Sequence, residues 1–149
     1  MQLKIKRVPS DQGRVPPLPA PATAGSAALD LQANIDESVV LMPGARRRIP
    51  TGVSIALPAD GWAAFVFARS GLADREGICL ANGVGVIDAD YRGEIQVSLV
   101  NLSSRAAVIE PGQRIAQLAV MPVERVEVIA CEQLDETGRG AGGFGSTGR

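Results

Sequence analysis

The last twelve residues, 138–149, combine glycines, arginines, hydroxyl groups and one aromatic ring. Six of the seventeen glycines of the chain lie there, together with Arg139, Arg149 and Phe144. Glycine reaches backbone angles closed to other residues, so successive N–H groups can surround an anion, and arginine adds planar donors that match phosphate oxygens. The pattern indicates a phosphate-binding segment whose phenylalanine stacks on a flat ligand. A disordered glycine-rich tail is the alternative.

A second unusual segment runs from Asn82 to Glu94. Its apolar stretch ends at Ile87 and is followed at once by Asp88, then by Tyr91 and a turn glycine. The chain has no histidine, so a hydrolytic base must be a carboxylate or a metal-bound hydroxide. We identify Asp88 as that base, because a carboxylate directly after an apolar run has limited freedom. A turn or capping aspartate is the alternative.

Aromatic residues are rare, with one Trp, one Tyr and three Phe. Trp62, Phe65 and Phe67 fall within one predicted strand and are expected in the core. The other two, Tyr91 and Phe144, lie in the two unusual segments. This placement favours stacking or shape-reading roles for both.

Composition predicts one globular domain without a polyanion-binding surface. Fifteen basic and sixteen acidic residues give a net charge of −1, so nucleic acid is not an expected partner. No apolar run reaches the roughly 18 residues that a membrane helix needs, and the first residues do not resemble a signal peptide. Cys79 and Cys131 lie in apolar stretches without a CxxC spacing, which predicts buried free thiols and a cytoplasmic location.

The hydrophobic pattern is almost entirely that of short strands. Alternating and apolar runs predict strands near 3–8 and at 39–41, 48–57, 62–67, 95–101, 106–109, 114–122 and 125–130. Turn signals such as Pro43-Gly44 and Pro111-Gly112 separate them. Residues 70–75 alone support a short helix, with Ser70 as its cap and Gly77 after its end. Many short strands at regular spacing predict a sandwich or barrel.

The two unusual segments and three further stretches resemble the homotrimeric deoxyuridine triphosphatases (dUTPases), which hydrolyse dUTP to dUMP and pyrophosphate. The five motifs of that family match, in order, residues 26–31, 69–73, 82–94, 111–118 and 138–149. The resemblance covers residues 18–149, almost the whole chain.

This resemblance implies a fold and an assembly. The expected fold is all-β, a distorted jelly roll (β-clip-like) in a single domain over residues 1–149 with one short helix. Residues 137–149 are expected to form a flexible arm that closes over the phosphates and is exchanged within a homotrimer with shared active sites. Mg²⁺ is the implied cofactor.

The resemblance also implies residue roles. Asp88 is the base that activates water, and Asp30 acts through metal-bound waters, with no direct protein ligand to the magnesium. Asn82 and the following backbone read uracil, Tyr91 packs on the deoxyribose and Phe144 covers the base. The full implied set of substrate-binding residues is Arg69, Ser70, Gly71, Asn82, Gly85, Val86, Ile87, Asp88, Tyr91, Gln96, Gln117, Arg139, Phe144, Gly145, Ser146 and Thr147.

Two other functions remain as alternatives. One is a dCTP deaminase-type enzyme of the same fold, which needs a glutamate-centred site and a cytosine pocket. The other is a non-catalytic dUTP-binding regulatory trimer, in which the nucleotide switches a partner-binding surface.

Overall fold

The computed structural model describes residues 2–58, 60–144 and 146. Within these ranges the chain forms eleven short strands and one helix. The helix α1 is Ser70–Glu76. The strands are β1 Lys4–Arg7, β2 Leu29–Gln32, β3 Val39–Leu41, β4 Arg46–Pro50, β5 Val53–Ala56, β6 Trp62–Ala68, β7 Ile78–Leu80, β8 Gly85–Ile87, β9 Gln96–Asn101, β10 Ala107–Ile109 and β11 Arg114–Pro122.

All strand pairs are antiparallel and surround one core. The largest sheet has the order β2-β11-β6-β8, a second has the order β4-β9-β7, and β1-β5 and β10-β3 form two-stranded sheets. Side chains with almost no exposure fill the space between them, including Leu31, Ile49, Leu99 and Ile109. The predicted all-β fold with one short helix is confirmed.

Strand β6 corrects the expectation that three aromatic residues lie in the core. Side chains alternate across a strand, and Ala64 and Val66 point into the core. Trp62 packs against this core from its edge. Phe65 and Phe67 therefore lie on the opposite face, half-buried, with ring centroids 6.4 Å apart.

The predicted strand at 125–130 is absent. Strand β11 ends at Pro122, and the following residues have no strand partner among the described residues. Val126 and Val128 are 80% and 89% exposed. Alternating apolar residues favour a strand only where a neighbouring edge accepts their hydrogen bonds, and no described strand pairs with these residues. Cys131 lies in the same stretch and is exposed rather than buried, whereas Cys79 is half-buried.

The predicted helix is present, but its first residue differs from the expectation. Arg69 occupies the N-cap position and no side chain caps the helix, so Ser70 is not the cap. Gly77 ends the helix with a φ of 67° and donates its N–H to the carbonyl of Ala73. The described part of the chain contains no helix with the length and apolar character that a membrane span needs.

The predicted strand at 48–57 divides into β4 and β5 because of Gly52. Gly52 has a φ of 66°, and a Cβ there would lie 2.5 Å from Asn34 Nδ2 and 2.5 Å from Pro16 Cγ. Both the backbone conformation and the space exclude a side chain. This turn joins β4 of the three-stranded sheet to β5 of the two-stranded β1-β5 sheet.

Gly52→Ala is expected to destabilise the fold by about 2–4 kcal/mol, from left-handed backbone strain together with overpacking. Gly44→Ala is the matched control: Gly44 also has a positive φ, of 73°, but a Cβ there meets nothing within 4 Å. That control is expected to cost only about 1 kcal/mol. Urea unfolding at one protein concentration measures both, and equal losses would contradict the packing argument.

Candidate active site

Residues 85–96 form an open hairpin-shaped loop around a cavity of about 490 Å³. The loop leaves β8, turns through Asp88 to Gly93 and enters β9. Five predicted substrate-binding residues line this cavity together with Arg48, Glu94 and Ile95; the five are Val86, Ile87, Asp88, Tyr91 and Gln96. We call this space the hairpin cavity.

The turn of the loop is held by its own hydrogen bonds. The Tyr91 N–H donates to the carbonyl of Asp88 at 3.2 Å. The Arg92 guanidinium donates from Nη1 to the carbonyls of Ala89 at 2.8 Å and Tyr91 at 2.9 Å. These bonds fix the backbone that follows Asp88 without using the Asp88 carboxylate.

Asp88 lies directly after β8, and its side chain is exposed. It borders the hairpin cavity on one side and a second cavity of about 420 Å³ on the other. The second cavity also contains Asp60 and Arg125, which form an ion pair at 3.1 Å. The Asp88 carboxylate has no ion-pair partner within the described residues, and it is accessible to water from both cavities.

Strand β8 lies at one edge of its sheet, opposite β2. It pairs with β6 on one side through Gly85, Val86 and Ile87, and no described strand pairs with its other side. Antiparallel pairing uses only alternate backbone groups of a strand for each neighbour, so the free edge keeps N–H donors and carbonyl acceptors. Asn82 precedes this edge in an exposed turn, in which its carbonyl accepts the N–H of Val84 at 2.8 Å.

A second group of predicted residues surrounds Asp30 on β2. Arg69 Nε donates to Asp30 Oδ1 at 3.1 Å, and Arg114 Nη1 donates to Asp30 Oδ2 at 2.9 Å. The Asp30 side chain is 14% exposed. Gln117 lies opposite Asp30 on β11, and its Nε2 donates to the carbonyl of Ala68 at 3.1 Å. We call Asp30, Arg69, Arg114 and Gln117 the Asp30 cluster. Its two guanidinium groups and one carboxylate give it a net positive charge.

Two further predicted residues follow Arg69 in the first turn of α1. Ser70 is exposed, and Gly71 is half-buried; a Cβ at Gly71 would lie 3.0 Å from Nη2 of Arg75. Arg69 also donates from Nη1 to the carbonyl of Arg114 at 3.2 Å, which joins the start of α1 to β11.

Within one copy of the chain the Asp30 cluster and the hairpin cavity are separate. Asp30 pairs with Gln117, and Gln117 pairs with Phe67, whereas Ile87 pairs with Ala64. Asp88 is thus three strands across and about four residues along the sheet from Asp30, a separation of roughly 20 Å. Side chains that act on one phosphate group must lie within hydrogen-bond reach of it, about 3 Å. One copy alone does not bring the two groups together.

The C-terminal segment lies apart from both groups. Arg139 Nε donates to the carbonyl of Gly142 at 2.8 Å, and the N–H of Ser146 donates to Gly143 at 3.1 Å. Phe144 is fully exposed with a φ of 50°. The structure places Arg139, Phe144 and Ser146 near one another but against neither the Asp30 cluster nor the hairpin cavity. Gly145 and Thr147 lie outside the described residues.

Sequence reasoning gave no role to three residues that belong to these sites. Arg48 lines the hairpin cavity, as does Glu94. Arg114 holds Asp30 and lines a cavity of about 300 Å³ beside the proline-rich stretch 16–22. The position of Arg114 within a matched motif was a signal, but the location of Arg48 depends on the pairing of β4 with β9.

Comparison with known proteins assigns the class. Residues 16–148 match the family model dUTPase. The chain is 53% identical over 146 residues to the deoxyuridine 5'-triphosphate nucleotidohydrolase of Desulfitobacterium hafniense (strain DSM 10664 / DCB-2), covering 98% of this chain and 97% of that protein. It is 49% identical over 148 residues to the protein of the same name from Anaplasma marginale (strain St. Maries), covering 99% of each.

A solved structure supports the fold. A mutant dUTPase of Staphylococcus bacteriophage 80alpha, solved with dUpNHpp, superposes with a TM-score of 0.86 at 24% identity, covering 99% of each chain. The chain belongs to the dUTPase family.

Proposed function

We propose that this protein is a dUTP diphosphatase, which hydrolyses dUTP to dUMP and pyrophosphate. This reaction limits the incorporation of uracil into DNA and supplies dUMP for dTTP synthesis, and we propose a cytoplasmic setting for it. Family membership supports the reaction class. The observation that carries the residue assignment is the hairpin cavity, where an accessible carboxylate, the single tyrosine and a free strand edge meet.

Base recognition rests on the free edge of β8. Uracil presents a fixed pattern of donors and acceptors, which the backbone at Gly85, Val86 and Ile87 can complement, with the Asn82 amide adding one donor and one acceptor. Cytosine has a different pattern at its exocyclic group. It would leave buried polar groups unpaired, at about 1–3 kcal/mol for each group.

The chemical step begins at Asp88. Its carboxylate accepts a proton from a water molecule as the water oxygen attacks the α-phosphorus. The bond between the α-phosphorus and the bridging oxygen to the β-phosphate breaks, and pyrophosphate leaves with that oxygen. A positioned base of this kind contributes about 10²- to 10⁴-fold to the rate.

The phosphate chain is assigned to the Asp30 cluster and the start of α1. Arg69 offers a guanidinium that Asp30 already orients, Gln117 adds an amide, and Ser70 and Gly71 add a hydroxyl and a backbone N–H. Asp30 has both oxygens occupied by arginines, and no three described His, Cys, Asp or Glu side chains lie close enough to hold a metal. These residues fit a magnesium ion that is bound through substrate phosphates and water. When bound, Mg²⁺ neutralises phosphate charge.

The C-terminal segment completes the site in this proposal. Arg139 and the backbone near Ser146 close over the phosphates, Phe144 covers the uracil, and Gly145 and Thr147 contribute from outside the described residues. Closure excludes water other than the attacking molecule and strengthens the electrostatic interactions in the site.

A homotrimer with shared active sites explains how the separated groups act together. The roughly 20 Å between Asp30 and Asp88 in one copy is bridged if one subunit supplies the Asp30 cluster and another supplies the hairpin cavity. The exposed apolar stretch after Pro122 supports an arm that reaches a neighbouring subunit and presents the segment 137–149 there.

Tyr91→Ala is expected to reduce the preference for dUTP over UTP by about 10- to 100-fold, because the ring occupies the space that a ribose 2′-hydroxyl needs. The ratio of kcat/KM for the two nucleotides measures this effect. An unchanged ratio would rule out the assigned role. The dUTP reaction of the variant serves as the internal control for folding.

The proposed function is tested by a product assay with dUTP, UTP, dCTP and dTTP, each with magnesium and with a chelator. We expect dUMP and pyrophosphate from dUTP alone, and little turnover with the chelator. Ammonia released from dCTP would support a deaminase instead. Binding of dUTP without any product would support a regulatory trimer.

A further inference from the structure

Tyr91 is held by its hydroxyl group rather than by packing alone. The side chain is 44% exposed, and its Oη donates to the backbone carbonyl of Glu94 at 3.0 Å. A ring on an exposed loop has free rotamers unless something fixes it. The position of the Glu94 carbonyl therefore determines where the ring lies in the hairpin cavity.

Glu94 is itself tied to the turn between β4 and β5. Its Oε1 accepts the N–H of Gly52 at 2.6 Å. The next residue, Ile95, donates its N–H to Val53 at 2.8 Å, and its carbonyl accepts the buried Thr51 hydroxyl at 2.6 Å. Gly52 is buried in the close-packed turn described above. The carboxylate of Glu94 thus connects the loop to a rigid part of the core.

Gly93 leaves room for this arrangement. A Cβ at Gly93 would lie 2.6 Å from Cζ of Tyr91, closer than any stable contact. The ring folds back over Gly93 to reach the Glu94 carbonyl. Any side chain at this position would force the ring to shift.

We propose that Glu94 is a positioning residue for nucleotide selectivity: it fixes Tyr91 through its backbone carbonyl, and its carboxylate anchors that carbonyl to Gly52. This inference rests on the proposed function, because it assigns how the sugar-reading ring is held. Glu94 does not contact the reacting atoms. Its side chain acts through Tyr91, and Gly93 is required for the contact.

The variants Glu94→Ala and Glu94→Gln separate anchoring from charge. Glu94→Ala removes the acceptor for the Gly52 N–H and leaves the peptide that carries the Glu94 carbonyl held only by the Ile95 N–H. The preference for dUTP over UTP is therefore expected to fall about tenfold, the size of one hydrogen bond to a charged group. Glu94→Gln keeps an oxygen acceptor at the same reach and is expected to retain the preference within about twofold.

A double-mutant cycle with Tyr91→Phe distinguishes positioning from general destabilisation. Tyr91→Phe removes the hydroxyl that binds the Glu94 carbonyl. In that background Glu94→Ala is expected to change the selectivity ratio by less than about threefold, because interacting residues are not additive. Equal effects in both backgrounds, or equal losses of kcat/KM for dUTP and UTP, would overturn the inference.

A readout that does not depend on activity completes the test. The chain has one tyrosine, so tyrosine-labelled protein gives one ring spin system in an NMR spectrum. Glu94→Ala and Gly93→Ala are expected to shift its ring resonances towards those of a mobile tyrosine, whereas Glu94→Gln leaves them in place. Unchanged resonances in Glu94→Ala would refute the inference even if the wild-type protein hydrolyses dUTP. Absence of wild-type turnover would refute the proposed function alone.

Discussion

Asp88→Asn is expected to lower kcat for dUTP hydrolysis by about 10²- to 10⁴-fold while nucleotide binding is retained. The amide has nearly the shape of the carboxylate but cannot accept the proton of the attacking water. The loop keeps its form, because the hydrogen bonds of its turn use the backbone carbonyl of Asp88 and not its side chain. Pyrophosphate release at saturating dUTP measures the loss.

Asp60→Asn provides the control for Asp88. Asp60 borders the cavity on the far side of Asp88, but it is exposed and pairs with Arg125 outside the hairpin cavity. Its change is expected to alter turnover by less than about twofold, because an exposed ion pair contributes little. Turnover near wild type in Asp88→Asn, with normal binding of a non-hydrolysable analogue, would show that another group takes the proton.

Ending the chain after Thr137 is expected to reduce kcat/KM for dUTP by about 100-fold or more without lowering the melting temperature. The described residues of this segment hydrogen-bond to one another and not to the β-sheets, so the core does not depend on them. Their loss removes the arginine and the ring that are assigned to closure over the nucleotide, and loss of closure affects catalysis strongly.

Single substitutions separate the parts of the arm. Arg139→Ala removes the guanidinium assigned to the phosphates, and Phe144→Ala removes the ring assigned to the base. Each substitution is expected to reduce kcat/KM for dUTP by less than the truncation does. Thermal melting and size-exclusion chromatography of the truncated protein identify any structural role. A lower melting temperature together with loss of the proposed trimer would mean that the segment holds the assembly together rather than closing the site.

Strands bounded by a strong turn signal were predictable. Strand β11 has the predicted bounds because Pro111-Gly112 precedes it and its apolar residues Ile115, Ala116 and Leu118 are buried. Strands β3 and β10 follow from the same reasoning. The three short strands β2, β7 and β8 escaped prediction, since runs of three or four residues carry too little periodicity.

The remaining differences between predicted and observed strands arise from tertiary contacts. Residues 125–130 have a strand-like pattern, but a strand requires a partner edge, and that information is not local. Residues 48–57 have the sequence pattern of one strand, but the turn at Gly52 divides them. Close packing against Asn34 and Pro16 excludes a side chain at this turn.

For the candidate site, too, local contacts were predictable and contacts between distant parts of the chain were not. Motif residues that share a loop, such as Asp88 and Tyr91, lie together as expected. The contributions of Arg48 and Arg114 arise from strand pairing between distant parts of the chain, and so does the wide separation of Asp30 from Asp88. Local sequence patterns do not determine these distances.

In the proposed reaction, water held by Asp88 attacks the innermost phosphorus of dUTP. Single-turnover hydrolysis in water enriched in oxygen-18, followed by mass spectrometry of both products, tests it most directly. We predict that the heavy oxygen appears in dUMP and not in pyrophosphate, and that Asp88→Asn slows its incorporation by the same factor as turnover. Heavy oxygen in pyrophosphate would place the attack on the β-phosphorus and contradict the account.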